Sequence, residues 1–189
     1  YEGMLSKKHQ AIYFNVIRVQ AVCEILVSLG LYKTSIYLLE RNIRISKKNH
    51  FYKYIYLASD LLKRIYGGNI LNEKLWNEYN ILYEGSKVEY EMECKAIDYY
   101  TYLFIGYYQN RVDLKTPYKL AQYYFNQISF FLKETTNPRF HVRCRLLEIM
   151  MYSAKRDLEG MLGATNRGIA FFQSIKNTNN AYLFTIYIQ

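Results

Sequence analysis

Apolar residues recur at helical spacing along most of the chain, and the clearest case brackets a single glycine. Val19, Val22, Leu26 and Leu29 precede Gly30, and Tyr32, Ile36, Leu39 and Ile43 follow it. Steps of three and four put each set on one face of a helix, turned toward a core. Glycine reaches the left-handed conformation that ends many helices without a Cβ clash. Residues 21–46 therefore read as a helix, a tight turn and an antiparallel helix. Cys23 and Ser35 supply small side chains where the two helices approach.

The same reasoning divides the rest of the chain. A first helix is predicted over 7–29 and a second over 31–45, where Lys47 and Lys48 complement the negative end of the helix dipole. Asn49 is predicted to cap a third helix over 51–66, with Tyr54, Leu57, Ala58, Leu61 and Ile65 on one stripe and Gly67-Gly68 as its stop. Asn72 caps a fourth, in which Leu75, Tyr79 and Leu82 form the stripe beside Trp76. Gly85-Ser86 allows a break before a fifth helix over 87–109, with a helix that runs on through a kink as the alternative. Thr116-Pro117 and Asn137-Pro138 each place a capping side chain before proline, which starts the sixth and seventh helices. The seventh, 138–155, is apolar on more than one side, as an inner helix would be. Asp157 opens an eighth, and a ninth begins at Ala181. No segment alternates like a strand, so the predicted class is all-α.

The second member of each predicted pair starts near Leu31, Asn72, Pro117 and Asp157, at intervals of about 40 to 45 residues, within the range of helical repeats. Such pairs bury their faces only by stacking on neighbours. The turn pattern Gly30, Tyr32, Ser35 and Leu39 resembles the tetratricopeptide repeat, and residues 156–172 look like a weaker copy, with Leu158 at the aromatic position and Gly168 at a small one. The period is longer than that family's, and its tryptophan and proline landmarks are missing. Armadillo-like and other α-solenoid repeats share this length. The resemblance implies an α-α superhelix, a solenoid of about four antiparallel helix pairs, forming one helical-repeat domain over 1–189. The first residue is not Met and the last falls within an apolar pattern, so an excerpt of a longer chain is expected.

Composition narrows the partners. Half of the chain is apolar and only two prolines occur, which suits long helices over a disordered or loop-rich chain. The net charge of +9 comes without any block of five like charges, so basic residues are read first as solvated helix faces. A nucleic-acid surface is the sharper alternative. Cys23, Cys94 and Cys144 lie far apart inside helical patterns, which points to buried thiols in a reducing compartment and a cytoplasmic location. No run of 18 apolar residues occurs, so no membrane span is expected; residues 99–108, the most apolar in appearance, carry several tyrosines.

Candidate chemistry is sparse. His9, His50 and His141 lack metal-ligand spacing, and the Gly67-Gly68 pair lacks the lysine and preceding strand of a phosphate loop. No cofactor is expected, and no catalytic constellation is apparent. Arg139 and Arg143, four apart, project together and could hold a carboxylate or phosphate. The simpler reading pairs them with Glu134 or with the acidic cluster Glu89, Glu91 and Glu93. The 22 tyrosines include adjacent pairs such as Tyr99-Tyr100 and Tyr123-Tyr124, whose members diverge by about 100° on a helix. Some rings must therefore leave the core, either into grooves or into a lattice of phenols between helices.

These readings predict a non-catalytic scaffold that binds a protein or peptide on its concave face. By analogy with the tetratricopeptide pattern, the groove residues are Gln20, Glu24, Val27, Tyr52, Ser59, Tyr102, Arg139 and Arg143. Two other expectations are a sensor or oligomerisation part of a larger transcriptional or signalling regulator, and a nucleic-acid-binding repeat. Self-association is left open by the sequence.

Overall fold

The computed structural model describes residues 7–108 and 115–174 of the 189-residue chain. Its α-helices are α1 (Lys7–Ser28), α2 (Tyr32–Lys48), α3 (Tyr52–Arg64), α4 (Glu73–Tyr108), α5 (Lys115–Ile128), α6 (Pro138–Lys155) and α7 (Leu158–Ser174). A π-helical turn, Ile65–Asn69, extends α3, and a 3-10 turn, Ser129–Lys133, extends α5. There is no strand among the described residues, in keeping with the all-α expectation. The chain divides into two compact units, Tyr1–Tyr90 and Glu91–Gln189, and the division falls inside α4.

In the first unit, α1 packs on α2 and α3, and α2 packs on α3. Gly30 takes φ +74° and ends α1 as its sequence position predicts. The Leu31 N–H donates to the Leu26 carbonyl at 2.9 Å and the Gly30 N–H to Val27 at 3.1 Å, which closes the orphan carbonyls of the helix end. Cys23 and Ser35 are fully buried, with the Cys23 Sγ 4.0 Å from the Ser35 carbonyl oxygen, so small residues do mark the α1–α2 approach. Leu39, Ile43, Ile55, Ala58 and Leu62 fill the core around Cys23. A second cluster joins Val16 of α1 to Phe51 and Tyr54.

Three boundaries differ from expectation. Asn49 does not cap α3. It is the C-cap of α2, and its Nδ2 donates to the Ile45 carbonyl at 2.8 Å. The left-handed residue there is His50, φ +54°, with Phe51 N–H donating to Ser46 at 2.9 Å, the same closure as at Gly30. Gly67 and Gly68 do not stop α3 either, because both lie within the π-helical turn. Gly67 is required there for another reason: a Cβ on it would lie 2.6 Å from Trp76 Cδ1. Asn72 caps α4 as predicted, its Oδ1 accepting from the Leu75 N–H at 3.1 Å.

The third difference is the absence of a break at Gly85-Ser86. The predicted fourth and fifth helices are one, α4, over 36 residues. A lone glycine costs a helix only about 1 kcal/mol relative to alanine, too little to interrupt one anchored on both sides. Ser86 satisfies its hydroxyl within the helix by donating to the Leu82 carbonyl at 2.7 Å.

In the second unit α6 packs on both α5 and α7, the inner position that its apolar circumference predicts. Phe140, Cys144, Leu147 and Met151 of α6 join Ala96 and Leu103 of α4 and Ala121 and Ile128 of α5 in one core. Pro138 follows the Asn137 cap, whose Oδ1 accepts from the Arg139 and Phe140 N–H groups. Helix α5 starts at Lys115, two positions before Pro117. Asp157 opens α7, accepting from the Gly160 N–H at 2.8 Å. The expected helix from Ala181 lies outside the described residues.

Candidate functional site

Polar and aromatic side chains converge where the second half of α4 meets the start of α6. Asn137 has its carbonyl oxygen committed to capping α6, and its Nδ2 donates to Glu93 Oε2 at 3.2 Å, 44 positions away. Glu93, only 7% exposed, also faces the Arg139 guanidinium at 3.5 Å. A cation in the first turn of a helix meets the positive end of the dipole. The Glu93 carboxylate offsets that cost for Arg139. The pairing with the acidic cluster, expected as the simpler reading, is thus formed for Arg139.

One turn on, Arg143 lies over the ring of Tyr100, 5.1 Å from its centroid. Tyr100 in turn stacks on Phe104 at 5.8 Å. Glu93, Ile97, Tyr100 and Phe104 are spaced along one stripe of α4, and Ile97 and Phe104 are exposed. Together with Arg139 and Arg143 they make a strip of cations and ring faces. Such a strip can hold carboxylates by charge-assisted hydrogen bonds and apolar groups by stacking.

The other predicted groove residues are distributed differently. Tyr102 is 64% exposed on α4, but two residues from Tyr100 and so on another face. In the first unit Gln20 and Ser59 are buried, so their side chains face neighbouring helices. Glu24 is exposed and accepts from the Gln20 amide at 3.3 Å. Val27 and Tyr52 are half-buried against the first unit's core.

One group in the second unit escaped the sequence reading, and the surroundings of another, His141, were not foreseen. Glu148 is buried and accepts from Arg145 at 2.6 Å and from Arg167 of α7 at 2.5 Å. Its one visible signal is its place in a helix that is otherwise apolar on several sides. His141 stacks on Phe171, centroids 3.4 Å apart, and its Nε2–H donates to the Thr135 carbonyl at 2.9 Å. Burial, together with the nearby Arg145 cation, lowers its pKa from 6.5 to about 4. His9 meets the Phe51 ring edge-on, and His50 lies in the α2–α3 turn.

The tyrosines form interhelical stacks as well as exposed positions. Tyr99 stacks on Tyr124 at 4.4 Å, Tyr66 on Tyr79 at 5.6 Å, and Tyr56 on Tyr90, with the Tyr83 ring tilted against Tyr56 at 5.0 Å. The Tyr79 hydroxyl donates to Glu40 at 2.9 Å, and burial with that bond pushes its pKa up. Tyr123 points outward beside the stacked Tyr124, the divergence expected of an adjacent pair. Burial pushes the Cys23 thiol up to about 11 and Cys144 up to about 12, which leaves both protonated and unreactive at neutral pH.

One described helix, over His9–Ser28, is long and apolar enough to cross a bilayer by length and composition, with mean hydropathy 1.4. The expectation of no span rested on unbroken apolar runs, which Asn15, Arg18, Gln20 and Glu24 interrupt without outweighing the average. Packing on α2 and α3 gives this helix a place in a folded unit. No protein-family model, curated protein or solved structure matches the chain.

Proposed function

We propose that the chain is a non-catalytic scaffold of stacked helix pairs, similar to a tetratricopeptide solenoid, which binds an acidic protein or peptide segment. One observation carries this reading. In the first unit Tyr54 of α3 meets Tyr13 of α1 across 41 positions, hydroxyl to hydroxyl. In the second unit Asn137 at the start of α6 meets Glu93 of α4 across 44 positions. Both spacings match the repeat interval predicted from the helix starts. Helix-pair repeats stack their first helices side by side at a fixed interval, and here α1 and α3, and the second half of the continuous α4 and α6, meet at that interval, although α4 joins what were expected as the second helix of one pair and the first of the next. The strip formed by Ile97, Tyr100, Phe104, Arg139 and Arg143 is then the ligand surface; Arg139 is matched by Glu93, so Arg143 and the rings carry the preference for acidic segments with apolar anchors.

Support would come from a peptide-array screen of the whole chain in which acidic sequences are retained. Arg143→Ala and Phe104→Ser should each weaken the retained peptides by tenfold or more, with helical content unchanged. Binding that ignores both substitutions would remove the strip from consideration. Preference for RNA over acidic peptides, with a steep salt dependence, would instead favour the nucleic-acid reading.

A further inference from the structure

Helix α1 turns a second apolar face away from α2 and α3. Phe14 is 58% exposed, Ile25 60% and Leu29 66%, and Val22 is exposed beside them. Ala11, Arg18 and Ala21 lie on the same outward side. These positions follow one another at steps of three and four, so they form one stripe directly opposite the buried Val16, Gln20 and Cys23. Only 17% of the His9–Ser28 window is buried, although the window is apolar on average. The apolar side chains of the stripe present about 500 Å², near the largest patch a soluble monomer ordinarily exposes.

We infer that this face is a self-association surface on which the α1 helices of two copies pair antiparallel. Three features of the stripe select that occupant. It is symmetric about Ala21 and Val22: an antiparallel pair crossing there sets Phe14 of each copy against Leu29 of the other, and Arg18 near Ile25. The same arrangement meets itself through one two-fold axis, the commonest closed interface. Ala21 then provides a small residue at the crossing point, where the helix axes come closest.

Charge makes the same selection. Arg18 and Glu24 are the only Lys, Arg, Asp or Glu residues between His9 and Ser28. Antiparallel pairing brings Arg18 of one copy level with Glu24 of the other, twice, whereas parallel pairing opposes like charges. Within one copy Arg18 bonds Asn15 at 3.1 Å at the surface, a bond that can be exchanged on pairing, while Glu24 keeps its 3.3 Å bond from the buried Gln20 amide and offers its other oxygen to the partner's Arg18. Two such faces bury roughly 1,000 Å², the lower bound for a specific interface. The expected dimer is accordingly a micromolar one.

Sedimentation equilibrium of the whole chain tests this directly. The expected result is a monomer–dimer equilibrium in the micromolar range, weakened tenfold or more by Ile25→Glu. Arg18→Glu alone should weaken it severalfold, and Arg18→Glu with Glu24→Arg should restore it. Circular dichroism checks that each variant keeps its helices; residues 18, 24 and 25 are all exposed. A chain that stays monomeric throughout, a dimer indifferent to Ile25→Glu, or a double charge reversal that fails to restore association would each overturn the inference. Co-flotation of a monomeric wild type with neutral phosphatidylcholine vesicles, lost in Ile25→Glu, would overturn it in favour of a bilayer. None of these outcomes depends on peptide binding to the α4–α6 strip.

Discussion

Asn137 and Glu93 are joined by an amide-to-carboxylate hydrogen bond of 3.2 Å while the other end of the Asn137 side chain caps α6. One fully buried side chain therefore both starts a helix and fixes that helix against α4. Asn137→Asp separates the two roles, since aspartate caps as well as asparagine but cannot donate and would oppose a second carboxylate to Glu93. The expected loss is about 2 to 4 kcal/mol in urea unfolding. Glu93→Gln in the same background should recover much of it.

Glu148 holds two guanidinium groups inside the second unit. Glu148→Ala leaves the largely buried Arg145 without its counter-charge and should cost about 3 to 5 kcal/mol. Arg167 is nearly half exposed, so Arg167→Ala should cost about 1 kcal/mol. Equal losses from the two variants, measured by denaturant titration, would contradict this ordering.

Acid should weaken the second unit through His141. Its pKa is about 4 when folded and 6.5 as an ordinary histidine, so the neutral ring is the form that the fold favours. As pH falls below 6.5 the unfolded chain takes up the proton first, and stability declines until about pH 4, by about 3 kcal/mol. Below that pH both states are protonated and this contribution stays flat. The difference between wild type and His141→Gln, followed by thermal melts from pH 7 to pH 4, should shrink over that window.

Gly85 lies within the uninterrupted α4, and a Cβ there would touch nothing within 4 Å. Gly85→Ala should stabilise the chain by about 0.5 to 1 kcal/mol through helix propensity. Destabilisation of that size would mean that residue 85 needs a conformation other than helical.

Arg156 ends α6 at φ +58°, in the left-handed region, with the Asp157 N–H donating to Tyr152 at 3.0 Å. The backbone strain of a side chain at that position costs on the order of 1 kcal/mol. Arg156→Gly should therefore raise the melting temperature, even after the entropy that glycine adds to the unfolded chain.

These helix ends explain what could be read from the sequence. Gly30, His50 and Arg156 close three helices with the same pair of backbone bonds, yet only Gly30 carries a residue that advertises left-handed geometry. The end of α1 was legible for that reason, and the Asn49 cap was misassigned because His50 conceals the turn. Gly67 misled in the opposite sense, since its missing side chain serves the approach of Trp76 and not a helix stop. At the candidate site, the Arg139–Glu93 pairing followed from charge and spacing. The Glu148 cluster did not, because Arg167 reaches it from the next helix, 19 positions on. Gln20 and Ser59 carry polar side chains that pattern assigns to a surface, and packing between helices buries both.

The close approach of Trp76 to Gly67 also has a spectroscopic consequence. Trp76 is the chain's single tryptophan, and its indole lies against the π-helical turn that joins α3 to α4. Red-edge excitation of fluorescence therefore illuminates this one junction and leaves the second unit dark. Emission follows the opening of that turn with no label attached, whereas the stacked phenols, present in both units, report on the chain as a whole.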